Sequence, residues 1–216
     1  MPKYNNKDLK KMDRIKRLNI INGITGVKPA NLIGTLNKKH EIQNCAIMSS
    51  IVHLGSDPGL IGFISRPTAE IRRHTLENIE ENGFYTINSI TNDIAKRAHY
   101  TSAKFEDDID EFERCNLEPE YLSEFPVPFV KTSPIKIGMR HLESVKIEKN
   151  QTILIIGEIK ILSISDLIID DRGYINLEKG NICGIGGLNQ YYKLEKTHEY
   201  EYARPENTPG FKKLGN

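Results

Sequence analysis

The chain has 216 residues, 38% hydrophobic and 27% charged, with a formal net charge of +1. That suffices for one good core, or a domain with a small appendage, and fits a soluble globular protein better than a disordered one; no apolar run approaches the ~18 residues of a membrane helix, and a near-neutral total argues against a nucleic-acid partner. Three cysteines without CxxC spacing, and a start charged from Lys3 onward, argue against a disulfide framework, a zinc site or a secretory signal, and point to a reducing, cytoplasmic home.

The charge is unevenly spread. Residues 1–40 carry ten Lys/Arg and two Asp/Glu, a net of +8, so the remainder sums to −7. In Glu106–Glu124 nine acids face only Arg114. A solvated helix face accounts for the first stretch more simply than an acidic partner does, and an exposed loop or helix accounts for the second.

Asn5 to Ile21 is expected as one amphipathic helix, with Leu9, Met12, Ile15 and Leu18 on a stripe that lies on the domain. Ala30–Thr35 is a strand before the polar turn Asn37–His40. Asn44–His53 and Leu60–Ser65 are strands joined by the turn Ser56-Asp57-Pro58-Gly59. Thr75 opens a short helix that Asn82-Gly83 ends with a left-handed cap. Phe84–Asn88 alternates like a strand, and Asn92–Ala103 is a helix. Val130–Thr132, Ile135–Ile147 and Thr152–Ser165 are strands, with Glu148-Lys149-Asn150 a hairpin turn. Gly184-Ile185-Gly186-Gly187 is expected as a turn. The organisation is an N-terminal helix over 1–22 packed on a barrel, a main domain over 23–202, and a poorly ordered tail over 203–216. Many short strands with few helices point to a mainly β barrel or sandwich with peripheral helices, and away from a Rossmann domain.

The residues with the best claim to chemistry are Ser49, Ser50, Arg66, Arg73, His74 and Thr75. A helix N-terminus offers unpaired N–H groups and partial positive charge, and arginines add bidentate contacts, a set of parts suited to phosphate. On the residues alone, a capping Thr75 beside solvated arginines is the simpler account. His53 borders this region in either a structural or a functional role. Cys45 reads as a small core residue; Cys115 and Cys183 have no supporting His or charge pattern. Tyr191 and Tyr192 suit either a dimer interface or the core. No triad, paired carboxylates or metal cluster stands out.

The order Asn44, Ala46, Ser49, then Asp57-Pro58, Arg66, and a basic residue two before Thr75 resembles the flavin reductase-like FMN-binding split-barrel family. Leu76-Glu77-Asn78-Ile79, Gly83-Phe84, Ile87-Asn88, Ser102-Ala103-Lys104, Thr152–Glu158 and Gly186-Gly187 followed by Tyr191 continue it, so the similarity spans roughly Gly26 to Glu195. The family's helix start is usually Lys-Asp-Thr, and here it is Arg73-His74-Thr75. The resemblance implies an FMN-binding split β-barrel, a six-stranded Greek-key barrel, usually a homodimer with flavin near the subunit interface. Carried onto this chain, it places Ser49 and Ser50 at the ribityl-phosphate or ring edge. Backbone N–H groups of Ser50, Ile51 and Val52 face the flavin's polar edge. Ser65, Arg66, Arg73, His74 and Thr75 gather at the phosphate. It implies an NAD(P)H-dependent reductase, taking electrons from NADH or NADPH and passing them to a flavin, a ferric complex, another small acceptor or a partner monooxygenase, with no catalytic side chain and no metal. A flavin-binding electron carrier and a non-catalytic split-barrel module are the alternatives.

Overall fold

The computed structural model describes residues 1–39 and 41–211. In chain order the elements are helices α1 (Asn6–Lys11) and α2 (Arg14–Gly23), strands β1 (Lys28–Pro29), β2 (Asn31–Asn37), β3 (Ile42–Met48), β4 (Val52–Ser56) and β5 (Gly59–Ser65), helix α3 (His74–Asn82), strand β6 (Phe84–Ser89), helices α4 (Ala95–Tyr100) and α5 (Glu111–Arg114), then strands β7 (Pro119–Glu120), β8 (Phe129–Val130), β9 (Ile135–Ile147), β10 (Thr152–Ile164), β11 (Cys183–Gly186) and β12 (Gln190–Lys193). A short 3-10 turn, Pro205–Asn207, lies in the tail; residues 212–216 of the expected tail and His40 of the expected polar turn lie outside the described residues.

Seven strands form one antiparallel sheet in the order β3-β2-β6-β9-β10-β5-β4. Its two edge strands, β3 and β4, are consecutive in sequence and joined only by Ser49, Ser50 and Ile51. Three residues reach at most ~11 Å, so the sheet must curl until its edges meet. The ring therefore closes through the chain itself, along a seam with no ladder across it. This is a split barrel. The single strand expected over Asn44–His53 is broken at that seam, which is why six expected ribs are seven strands: β3 and β4 together make one rib.

The barrel interior is filled by Ile33, Phe63, Leu76, Ile79, Tyr85, Ile87, Met139 and Ile155. A second core under α4 and α5 holds Leu32, Cys45, Ile90, Ala98, Phe112, Cys115, Leu117, Cys183 and Ile185. Neighbouring Leu32 and Ile33 serve different cores, so β2 is buried on both faces and reads as a continuous apolar run rather than an alternating one. Helix α3 ends at Gly83, whose φ of 72° is the left-handed cap that a side chain would resist.

Three expectations change. The N-terminal helix is two helices, because Asp13 caps a new start by accepting from Lys16 N while Met12 turns to extended backbone. Neither helix buries a residue, and Ile15 and Ile21 are exposed. The Gly184–Gly187 turn is mostly strand β11, which pairs with both β1 and β12; its glycines have no side chains to display a period of two. The acidic stretch is not simply exposed: Glu111, Phe112, Cys115 and Leu117 are buried. The apolar members of that stretch anchor it, and the other acids remain outside.

Candidate functional site

Three segments linked by hydrogen bonds make up the candidate site: the β3–β4 junction bonds to β5, and the start of α3 bonds to β3 and to Pro67 just after β5. The first is the seam itself. Ser50 Oγ accepts from Ile64 N at 3.0 Å and donates to Ile64 O at 3.3 Å. That hydroxyl therefore staples the seam to β5. Ser49 is half-buried beside it, Ile51 packs against the barrel core, and Val52 is exposed at the start of β4.

The second segment is the end of β5. Ser65 is buried and donates to Arg66 O at 3.4 Å. Arg66 projects into solvent.

The third is the start of α3. Arg73 is the N-cap residue and makes no side-chain capping bond. The first turn is thus left with unpaired N–H groups, the arrangement that favours an anion. Arg73 is half-buried, and its Nε donates to Pro67 O at 3.3 Å. Burial, and then the charge of Arg66, hold its guanidinium below the ordinary arginine range. Among the described residues neither Arg66 nor Arg73 forms an ion pair. Arg72 between them behaves differently: it pairs with Glu77 at 2.7 Å and Asp107 at 3.0 Å. His74 opens the helix, half-buried.

Thr75 is the second helical residue rather than the cap, and it is buried. Its hydroxyl donates to Asn44 Oδ1 at 3.0 Å. With its one proton committed there, the side chain is not a free donor; the backbone N–H is what it offers outward. Asn44 Oδ1 also accepts from Thr35 Oγ1 at 2.9 Å, and Asn78 Nδ2 donates to that Thr35 oxygen at 3.1 Å. On its other side, Asn44 Nδ2 donates to Glu111 Oε2 at 2.7 Å. Sequence reasoning quoted Asn44 only as part of a pattern and left Glu111 in an exposed stretch. The available signal for Glu111 was Phe112 and Cys115 beside it: an acid flanked by apolar residues in an otherwise polar run.

His53 stands apart from this cluster, exposed on β4 with its Nε2 3.1 Å from Ser56 Oγ. Cys45, Cys115 and Cys183 are free and buried, and burial pushes all three thiols up. Tyr191 packs on the second core, its hydroxyl 3.1 Å from His99 Nδ1; Tyr192 is exposed. Among the described residues no group of His, Cys, Asp and Glu has the arrangement of a metal site, and no helix is long and apolar enough to cross a membrane.

Comparison with known proteins shows the family and the fold. The family model described as "Flavin reductase like domain" matches residues 27–177. A crystal structure of a split-barrel protein from Shewanella frigidimarina NCIMB 400, described as a candidate flavin reductase, is 38% identical. It superposes with a TM-score of 0.89, covering 94% of this chain and 100% of that one. Nitrilotriacetate monooxygenase component B from Bacillus cereus has the same fold at 19% identity and a TM-score of 0.82, covering 93% and 98%. Flavoredoxin of Desulfovibrio vulgaris (Miyazaki F) does so at 20% identity and a TM-score of 0.71, covering 82% and 92%.

Proposed function

The chain belongs to the family of flavin reductase-like domains, and from that premise we propose that it is an FMN-binding, NAD(P)H-dependent reductase that hands electrons to a flavin, a ferric complex, another small acceptor or a partner monooxygenase. The observation that carries the FMN part is a helix start without a capping side chain, where Arg73 feels the positive charge of Arg66 and, among the described residues, neither arginine is ion-paired. Two like charges repel, and burial makes that more costly. A phosphate dianion would relieve both the repulsion and the unpaired N–H groups. The residues present therefore fit an FMN phosphate, and the donor set resembles no alternative ligand of neutral or cationic character.

In this reading the chain's own work is binding and orientation. Arg66, Arg73 and the first N–H groups of α3, including those of His74 and Thr75, hold the phosphate. The seam Ser49–Val52 faces the rest of the flavin, with the backbone rigid there because Ser50 is stapled to β5 and Ser65 is buried behind it. The bound flavin supplies hydride acceptance and electron transfer. Backbone N–H groups along Ser50, Ile51 and Val52 favour the reduced, more electron-rich ring electrostatically. No side-chain acid or base is needed.

The same reading makes the protein a homodimer of cytoplasmic location, with a helical arm over 1–22, the flavin domain over 23–202 and a tail beyond. Support for the dimer comes from the outward face of the sheet. Leu54, Val145 and Ile147 are exposed there. A Cβ built on Gly62 meets Leu54 and Leu154 on that same side, and Val145 lies directly opposite Leu154 in the ladder. An apolar sheet face left in water is the usual mark of a covering partner.

The visible absorption spectrum of the purified protein, recorded anaerobically before and after NADH or NADPH, tests the function. A flavin band that bleaches supports the reductase and names the donor. A flavin band that stays would favour an electron carrier, and absence of flavin after incubation with FMN would overturn the reading.

A further inference from the structure

Glu111 is 5% exposed, and among the described residues it has no Lys or Arg partner. A carboxyl group buried without a cation is costly to keep. Its Oε2 accepts from Cys45 N at 2.7 Å and from Asn44 Nδ2 at 2.7 Å. The first bond has an ordinary structural purpose. β3 is an edge strand, and its outward N–H groups need partners. Thr101 Oγ1 does the same for Ile47 N at 2.9 Å. A neutral hydroxyl is therefore sufficient to satisfy an outward N–H on this edge, and covering the edge does not by itself call for an acid.

The second bond calls for an acceptor that reaches Asn44. An amide side chain can sit either way round, and Asn44 needs its oxygen toward Thr35 and Thr75. A carboxyl oxygen that accepts on the opposite side forces that choice. With Glu111 taking the NH2 group, Asn44 Oδ1 is turned toward α3 and receives the hydroxyl of Thr75, two residues after Arg73. The chain of bonds thus runs from α5, through the edge strand, to the first turn of the helix whose free N–H groups form the anion site.

We propose that Glu111 is a positioning residue for phosphate recognition: through Asn44 it holds Thr75, and so sets the start of α3 and Arg73 against the end of β5. The proposal rests on the phosphate reading of that helix start. It also gives Thr75 a different part from direct contact through its hydroxyl, because that hydroxyl anchors the helix from beneath. The ligand class is a phosphate monoester, and the expected signature is loss of discrimination between FMN and riboflavin, which differ only by that phosphate.

The test is titration of FMN and of riboflavin, by quenching of flavin fluorescence, into the full-length chain and its variants. Glu111→Ala should weaken FMN about tenfold with riboflavin changed less than about twofold, and Glu111→Gln, which can still present an acceptor oxygen to Asn44, should recover most of the loss. Thr75→Val should mimic Glu111→Ala, and the double variant should be no worse than either single one, because both break the same chain of bonds. If Glu111→Ala does not fold, Glu111→Asp, which withdraws the carboxylate by one methylene, should give the same FMN-selective loss. Equal weakening of FMN and riboflavin, or additive effects of the Glu111 and Thr75 changes, would overturn the proposal. Arg73→Ala in the same series separates the two failures. If it leaves the FMN-to-riboflavin ratio unchanged, the phosphate reading falls; if it changes the ratio while both Glu111 and Thr75 variants do not, the positioning role alone falls.

Discussion

Arg73 feels the positive charge of Arg66 and, among the described residues, neither is ion-paired, while Arg72, one residue from Arg73, is held by both Glu77 and Asp107. The difference divides three adjacent or nearby cations into one that stabilises the exposed surface and two that are left for an anion. Arg73→Ala should therefore weaken FMN by about 1.5–3 kcal/mol, or roughly ten- to hundredfold, with riboflavin nearly unaffected. Arg72→Ala should leave both affinities within about twofold, since its partners are exposed and such pairs contribute little. Parallel flavin titrations of the two variants check this.

Glu111 makes stability depend on pH in a defined direction. Burial, opposed by the bond from Cys45 N and reinforced by Asp110, pushes its carboxyl up to about 7. An unfolded glutamate ionises at ~4.3. The folded chain therefore holds this proton more tightly, its contribution is fully present below ~4.3, and it is lost as pH rises through 7. Urea unfolding between pH 5 and 8 should show wild type losing on the order of 3 kcal/mol relative to Glu111→Gln, which has no charge to bury. A constant difference across that range would show that Glu111 does not carry the effect.

Tyr85 is fully buried in the barrel, and among the described residues its hydroxyl has no hydrogen-bond partner. Burial alone pushes its ionisation well up. A Cβ added to Gly157 would lie 2.3 Å from that hydroxyl and 3.0 Å from Arg140 O. Tyr85→Phe should thus be neutral or stabilising by about 1 kcal/mol. Gly157→Ala should cost about 1–3 kcal/mol, and part of that should return in the Tyr85→Phe background. Thermal unfolding of the two single variants and the double variant measures the coupling.

The exposed face around Leu54, Val145 and Ile147 gives a prediction about assembly. Val145→Glu should convert a dimer to a monomer in light scattering, because a charge would be placed directly opposite Leu154 at the covered face. Wild type that is already monomeric at micromolar concentration would count against the dimer.

The local pieces were legible in the sequence because they follow short-range rules. Ile135, Ile137 and Met139 recur at a strand's period, the Asp57-Pro58-Gly59 turn punctuates β4 and β5, and Gly83 ends α3 where a left-handed residue is required. The ordered series from Asn44 to Thr75 likewise carried the family resemblance. What the sequence could not express was which distant groups become neighbours. Whether Asn44 to His53 is one strand or two edges of a sheet depends on closure of the whole ring. Whether Glu111 lies in water or against Asn44 depends on Phe112 and Cys115 finding the second core. Arg72 and Arg73 are alike in sequence, and only packing gives one two carboxylates and leaves the other, among the described residues, without an ion pair. Secondary structure and capping arise from interactions a few residues apart. The site arises from burial and charge contacts between segments tens of residues apart, and those exist only once the barrel has closed.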